Sequence, residues 1–167
     1  MMKQLGFIGC LLLFLAPNAF SQSPPDIQSL AGLPGVAVGF RKYPKQLEQD
    51  GLSSKQIETE VELRLRKAGI KVLTLDEAFN SPGSPVFEVE IGAVKSEGGI
   101  YAISIDLSLK QMVVTQRKPS IEKMCATWEA NNLLIVGTAA LRQIKDNVGD
   151  GVDVFANDFL TANPKSK

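Results

Sequence analysis

The chain has no histidine among its 167 residues. Histidine titrates near neutrality and is the commonest metal ligand, so its lack removes the usual general base, the usual catalytic triads and most transition-metal sites. Cysteine is nearly as scarce, with Cys10 inside the N-terminal apolar run and Cys125 in the second half. If Cys10 leaves with a leader, Cys125 has no internal partner and the domain rests on its core rather than on a disulfide. A single cysteine on a strand is ordinarily a small buried residue; pairing between chains or nucleophilic duty are the alternatives. An excess of one charge is lacking as well, since 18 basic residues balance 18 acidic ones. Nucleic acid, whose binding needs clustered positive charge, is therefore not an expected partner.

Nucleotide and calcium motifs are missing too. Gly32-Leu33-Pro34-Gly35-Val36-Ala37-Val38-Gly39 lacks the spacing of a dinucleotide loop and opens no helix directly. Asp146, Asp150, Asp153 and Asp158 lack the calcium-loop pattern and recur along a helical segment. Neither a metal nor a cofactor is expected.

What is present begins with an address. Lys3, the apolar stretch Leu5 to Leu15 and the small-residue ending Ala16 to Ser21 read as a secretory signal cleaved near Ser21, giving a periplasmic or secreted protein. The apolar run is too short to span a bilayer, and no transmembrane segment is expected in the mature chain. An N-terminal core helix is the alternative. Lipoprotein anchoring through Cys10 is not expected, because that cysteine lies within the apolar run and not at its end. Removing residues 1–21 takes one base, Lys3, and no acid, so the mature chain carries one more acid than base.

Residues 22–34, with Pro24, Pro25 and Pro34, read as a flexible lead-in, residues 35–163 as a single domain and residues 164–167 as a disordered tail. Val36 to Phe40 is a short apolar run between Pro34 and Arg41-Lys42-Tyr43-Pro44, hence a strand. Ser53 and Gln56 form a capping-box pattern ahead of the stripe Ile57, Val61, Leu65 and Ala68, and Gly69 closes that helix. Glu60 with Arg64 and Glu62 with Arg66 are acid-before-base pairs four apart, each worth only about 0.3 kcal/mol. Ile70 to Leu75 follows as a strand, so the unit should cross over to a parallel position. Asp76 to Ser84 is at most one short helical turn and a loop.

The clearest signal is the stretch Val86 to Trp128. Phe87, Val89, Ile91 and Ala93 alternate with polar or small residues, as do Tyr101, Ile103, Ile105, Leu107 and Leu109, and Gly98-Gly99 joins the two runs as a hairpin. Apolar parity then slips to Met112 and Val114, which predicts a bulge near Gln111 that keeps both sets on the core face, or else the end of the strand. A third strand is predicted over Ile121 to Trp128. Beyond it Leu134, Gly137, Leu141, Ile144, Val148, Val152, Phe155 and Phe159 recur at three and four and predict one long amphipathic helix, with a kink or break possible at Gly149 and Gly151. The fold class is α+β: a two-layer sandwich with a mixed sheet of about five strands, a strand-helix-strand unit followed by an antiparallel meander, covered on one face by two helices. The other face is polar around Asp106 and is either wet or an interaction surface.

Candidate binding residues are the basic clusters Arg41-Lys42-Tyr43 and Arg117-Lys118 and the single tryptophan, Trp128; polar turn chemistry and core packing are the plainer readings of the same residues. Glu88 and Glu90, two apart on one strand, face the same side and are the one carboxylate pair with an acid/base spacing, although a solvated strand face looks the same.

Leu63 to Val72 at the end of the first helix, the meander, and Phe155-Ala156-Asn157-Asp158-Phe159-Leu160 ahead of Asn163-Pro164 make the mature chain resemble a group of small exported bacterial proteins of uncharacterised function. In element order it is also similar to envelope-assembly accessory modules, such as the lipopolysaccharide-assembly lipoprotein and the amino-terminal module of TolB. The resemblance covers roughly residues 35 to 160, implies a fold and an envelope location, and carries no site residue. Three expectations stand beside one another. The first is a non-enzymatic periplasmic or secreted accessory module that binds an envelope protein or amphiphile. The second is a carboxylate-dependent hydrolase using Glu88 and Glu90. The third is a structural protein forming a homo-oligomer through the stripe Val148 to Phe159 of the C-terminal helix.

Overall fold

The alternating runs assemble into one five-stranded sheet of order β2-β1-β3-β4-β5. The computed structural model describes residues 24–164, so the expected signal segment with Cys10 and the last three residues lie outside the described part. The helices are α1 (Pro24–Gln28), α2 (Lys45–Gln49), α3 (Ser54–Lys67), α4 (Leu75–Phe79) and α5 (Arg142–Ala162). The strands are β1 (Val36–Lys42), β2 (Val72–Leu73), β3 (Val86–Lys95), β4 (Ile100–Val114) and β5 (Glu122–Gly137). β1 runs parallel to β2 and to β3, while β3, β4 and β5 form an antiparallel meander. This is the expected α+β sandwich.

Local chemistry sets the helix ends. Ser53 accepts from the Gln56 N–H while the Gln56 side chain accepts from the Ser53 N–H, so the capping box is complete. At the other end Gly69, at φ 82°, lets its own N–H reach Arg66 and the Ile70 N–H reach Leu65, the two bonds of a Schellman motif. Thr74 and Glu77 repeat the capping box on α4.

The core lies between one sheet face and the pair α3 and α5. Ile57, Val61 and Leu65 from α3 and Ile144, Val148, Val152, Phe155 and Phe159 from α5 are buried against Phe87, Val89, Ile91 and the odd-numbered residues Tyr101 to Leu109. Each such side chain contributes about 1.5–3 kcal/mol through burial. Phe155 sits at the centre, with ring centroids 4.6 Å from Phe87 and 5.0 Å from Trp128. The stripe Val148 to Phe159, which could have served self-association, is thus spent on the core and is not available to a second copy. On the opposite face the short helix α4 covers only the β2 end, where Ala37, Leu73, Ala78 and Val86 form a second, smaller cluster.

Four expectations change. The third strand does not stop at Trp128 but runs to Gly137, and Leu134 and Gly137 belong to it. The long β4 supplies partners as far as Ile100, and Leu133 to Val136 pair there with Ser104 to Tyr101. The helix begins only at Arg142 and continues unbroken through Gly149 and Gly151.

The irregularity near Gln111 is real, but the extra residue is Thr127 on β5, since Leu109 pairs with Trp128 and Lys110 with Ala126. β4 itself keeps its parity, so Gln111 occupies a buried core-side position and Met112 and Val114 are exposed. Gln111 is satisfied there by donating to the Ser29 carbonyl at 3.0 Å and to Thr127 Oγ1 at 2.7 Å. Finally, the segment read as a flexible lead-in is docked through Ser29 and Leu30. Leu30 is fully buried, Ser29 Oγ donates to the Thr127 carbonyl, and Asn163 at the end of α5 bonds the Leu30 carbonyl and the Gly32 N–H.

Candidate functional site

The sheet face turned away from α3 and α5 is organised in rows by the strand register. Lys42, Glu90, Asp106 and Asn131 form one row across β1, β3, β4 and β5, and Glu88, Ser108 and Glu129 form the row beside it. In the other direction the rows are Gly92, Ser104 and Leu133, then Val94, Ala102 and Ile135. The face therefore divides into a charged half and an apolar half.

In the charged half Glu90 and Asp106 stand directly opposite each other, an arrangement that costs stability on its own. Arg41 lies 3.8 Å from Glu90, which offsets part of that cost. Glu88, Glu90, Asp106 and Glu129 border a shallow hollow of about 220 Å³ together with Arg41 and Lys110. The carboxylate pair a hydrolase would use is one part of this open row of charges.

The apolar half is built differently. Gly92, Ala102 and Ser104 keep the floor low, and a Cβ on Gly92 would meet the Ser104 hydroxyl, which would have to turn away. Val94, Leu133 and Ile135 rise around this floor with exposures of 73%, 80% and 77%. Together with Lys42 at the rim they enclose a depression of about 630 Å³, larger than the charged hollow. An exposed, contiguous set of large apolar side chains rimmed by polar ones is the usual mark of an interaction surface.

The candidate residues from the sequence are not brought together. Arg41 and Lys42 are exposed at the end of β1, beside the charged row. Tyr43 is half-buried and structural: its hydroxyl donates to the Leu52 carbonyl at 2.7 Å, and burial, followed by the charge of Glu48, pushes its phenol up. Arg117 and Lys118 lie in the β4–β5 loop beyond Val114, eight strand positions past Asp106 and so about 26 Å from the Arg41 end. Trp128 is 1% exposed, packs on Phe155, and donates its indole N–H to Asp158 at 2.9 Å. It is a core residue and is withdrawn as a binding residue.

A second polar cluster ties α2 to the hairpin. Asp50 accepts from Lys95 at 2.6 Å and from the Tyr101 hydroxyl at 2.7 Å, and these bonds, Lys95 first, hold its carboxyl below the usual range. The same contact raises Lys95, while Tyr101 is pushed up mainly by burial. Three of the four helix aspartates are likewise occupied: Asp146 pairs with Arg142, Asp153 with Arg64, and Asp158 with Trp128. Among the described residues no group of three or more potential ligands could hold a metal ion. No helix among them is long and apolar enough to cross a membrane.

Comparison of the chain with protein-family models, with curated proteins and with solved structures finds no match.

Proposed function

We propose that this chain is a non-enzymatic, exported accessory module that engages an envelope protein through the apolar half of its open sheet face. The observation that carries the reading is the patch of Val94, Leu133 and Ile135 around the low floor of Gly92, Ala102 and Ser104. A small ligand or acyl chain is normally enclosed over most of its surface, whereas this depression is open on its outer side. A protein segment that lays apolar side chains on the patch and polar groups on the Lys42, Glu90 and Asp106 row fits the shape better. The N-terminal pattern of Lys3 and the Leu5 to Leu15 run supports the export part of the reading.

The test is crosslinking of the protein in its native envelope, followed by mass spectrometry, for the unaltered chain and for Val94→Asp and Leu133→Asp. Both positions are exposed, so both variants should melt within a few degrees of the unaltered protein. The expected result is one envelope protein captured by the unaltered chain and lost from both variants. Capture that survives both substitutions overturns the reading, and recovery of a lipid in place of a protein replaces it with the amphiphile.

A further inference from the structure

The open face ends on an open edge. β5 is the terminal strand of the sheet and is 16 residues long. The Thr138 N–H bonds the Gly99 carbonyl at 3.1 Å, in the same register that pairs Val136 with Tyr101 and Leu134 with Ile103. From Trp128 to Val136, beyond the bulge, even-numbered residues of β5 therefore turn their backbone groups to β4, and odd-numbered ones turn them outward. The outward Thr127 carbonyl is covered, because Ser29, just after α1, donates to it at 3.0 Å. From Asn131 to Gly137 no strand covers the edge among the described residues.

Proteins normally protect such an edge with a charge, a proline, a bulge or a very short strand. Ala130 to Gly137 has no charged residue and no proline, and the bulge at Thr127 lies before it. Among the described residues the one masking contact there is the Asn132 side-chain oxygen, which accepts the outward Leu133 N–H at 2.8 Å while the Asn132 amide donates to Asn147.

We infer that this edge is a self-pairing surface at which a second copy of the chain adds antiparallel through β5, with the two-fold axis near Leu134, to make one continuous ten-stranded sheet. Outward-facing residues then meet outward-facing residues, as an antiparallel ladder requires: Leu133 opposite the other copy's Ile135, and Asn131 opposite its Gly137. The paired stretch holds no like charges to repel, and each Glu129 falls beyond the end of the facing strand. The Leu133 N–H exchanges its side-chain acceptor for a backbone one. Leu133 and Ile135, both strongly exposed in one copy, become cross-strand neighbours. The inference does not depend on the open-face reading, because it rests on the backbone groups of the strand edge, although Leu133 and Ile135 belong to both surfaces.

The experiment measures the mass of the purified protein by light scattering and sedimentation over a wide range of concentration. The expected species is a dimer. Ile135→Pro removes an outward donor that the ladder to β4 does not use, so it should raise the dissociation constant about tenfold or more without moving the unfolding transition followed by Trp128 fluorescence. If Ile135→Pro fails to fold, Leu133→Lys with Ile135→Lys provides the same reading, since both side chains are exposed in one copy. Val94→Asp alters the face and not the edge, and should leave the dimer intact. A monomer throughout, a dimer that both edge variants preserve, or a dimer lost only in Val94→Asp would each overturn the inference.

Discussion

Two glycines inside α5 should respond differently to the same substitution, and the contrast tests whether the helix is seated as described. A Cβ on Gly151 would fall within contact distance of Leu107 Cδ1. Leu107 is 1% exposed and is flanked on its own face by Val89 and Ala130 on the adjacent strands, so it has nowhere to move. A Cβ on Gly149 would meet the Arg64 guanidinium instead. That group is the far end of a flexible side chain, 25% exposed, and can swing outward. Either alanine gains about 1 kcal/mol of helix propensity. At Gly151 that gain is opposed by an overpacking cost of about 1–3 kcal/mol. At Gly149 the opposing cost is weakened pairing of Arg64 with Glu60 and Asp153, about 0–1 kcal/mol for partly exposed ion pairs. Gly151→Ala should therefore be less stable than Gly149→Ala by about 1–2 kcal/mol, and Gly149→Ala should match or exceed the unaltered protein. Urea unfolding followed by the single tryptophan measures both, at about 2–4 °C of melting temperature per kcal/mol in a parallel thermal scan. A Leu107→Ala background should remove most of the Gly151→Ala penalty, the signature of a direct contact. Equal effects at the two glycines, or a Gly151→Ala variant more stable than its parent, would refute the close seating of α5 on β4.

Phe155→Ala should cost about 3–5 kcal/mol in urea unfolding, because the ring is fully buried at the centre of the aromatic cluster; a changed oligomeric state with an unchanged urea midpoint would return the stripe to self-association. Trp128→Phe should keep the fold but cost about 1–3 kcal/mol, since it strips the Asp158 carboxylate of the indole N–H. Asp158→Asn, which still offers an oxygen, should cost less, and the reverse order would mean that the bond is not made. The pH dependence follows from Asp50, whose folded pKa lies below its unfolded value because Lys95 and Tyr101 donate to it. Its contribution is fully present above the unfolded carboxylate range near pH 4 and is lost as the pH falls through the lowered folded value. Asp50→Asn should flatten that part of the acid unfolding curve, and an unchanged curve would show that the Lys95 and Tyr101 contacts do not act on stability.

Features carried by neighbouring residues were legible in the sequence, and features decided across strands were not. Ser53 with Gln56 and Gly69 mark both ends of α3 because capping is settled within a few residues. Gly98-Gly99 between two alternating runs is as local, and the β3–β4 hairpin follows from it. Gln111 is the opposite case. Its partners, Ser29 and Thr127, are 82 and 16 residues away, so nothing nearby shows that a glutamine fills a core position and that Met112 faces out. The C-terminal third has a different cause: Leu134, Gly137 and Leu141 fall at helical spacing, while Leu133 to Val136 also suits a strand. Fifteen residues of β4 waiting for partners decide the matter, and propensity does not.

That same misreading hid the apolar half of the open face. Its members lie on β3, β4 and β5 and become neighbours only in the observed register, which cannot be built if Leu134 begins a helix. A signal was nonetheless present. Leu133-Leu134-Ile135-Val136 is apolar at every position, and a strand with a single core face can bury only alternate residues. Here Val136 is buried and Leu134 is half-buried, so Leu133 and Ile135 must stand on the other face, at the edge of a sheet whose last strand has no outer neighbour among the described residues. A continuous apolar run in a half-covered edge strand thus specifies an exposed apolar surface as surely as alternation specifies a wet one.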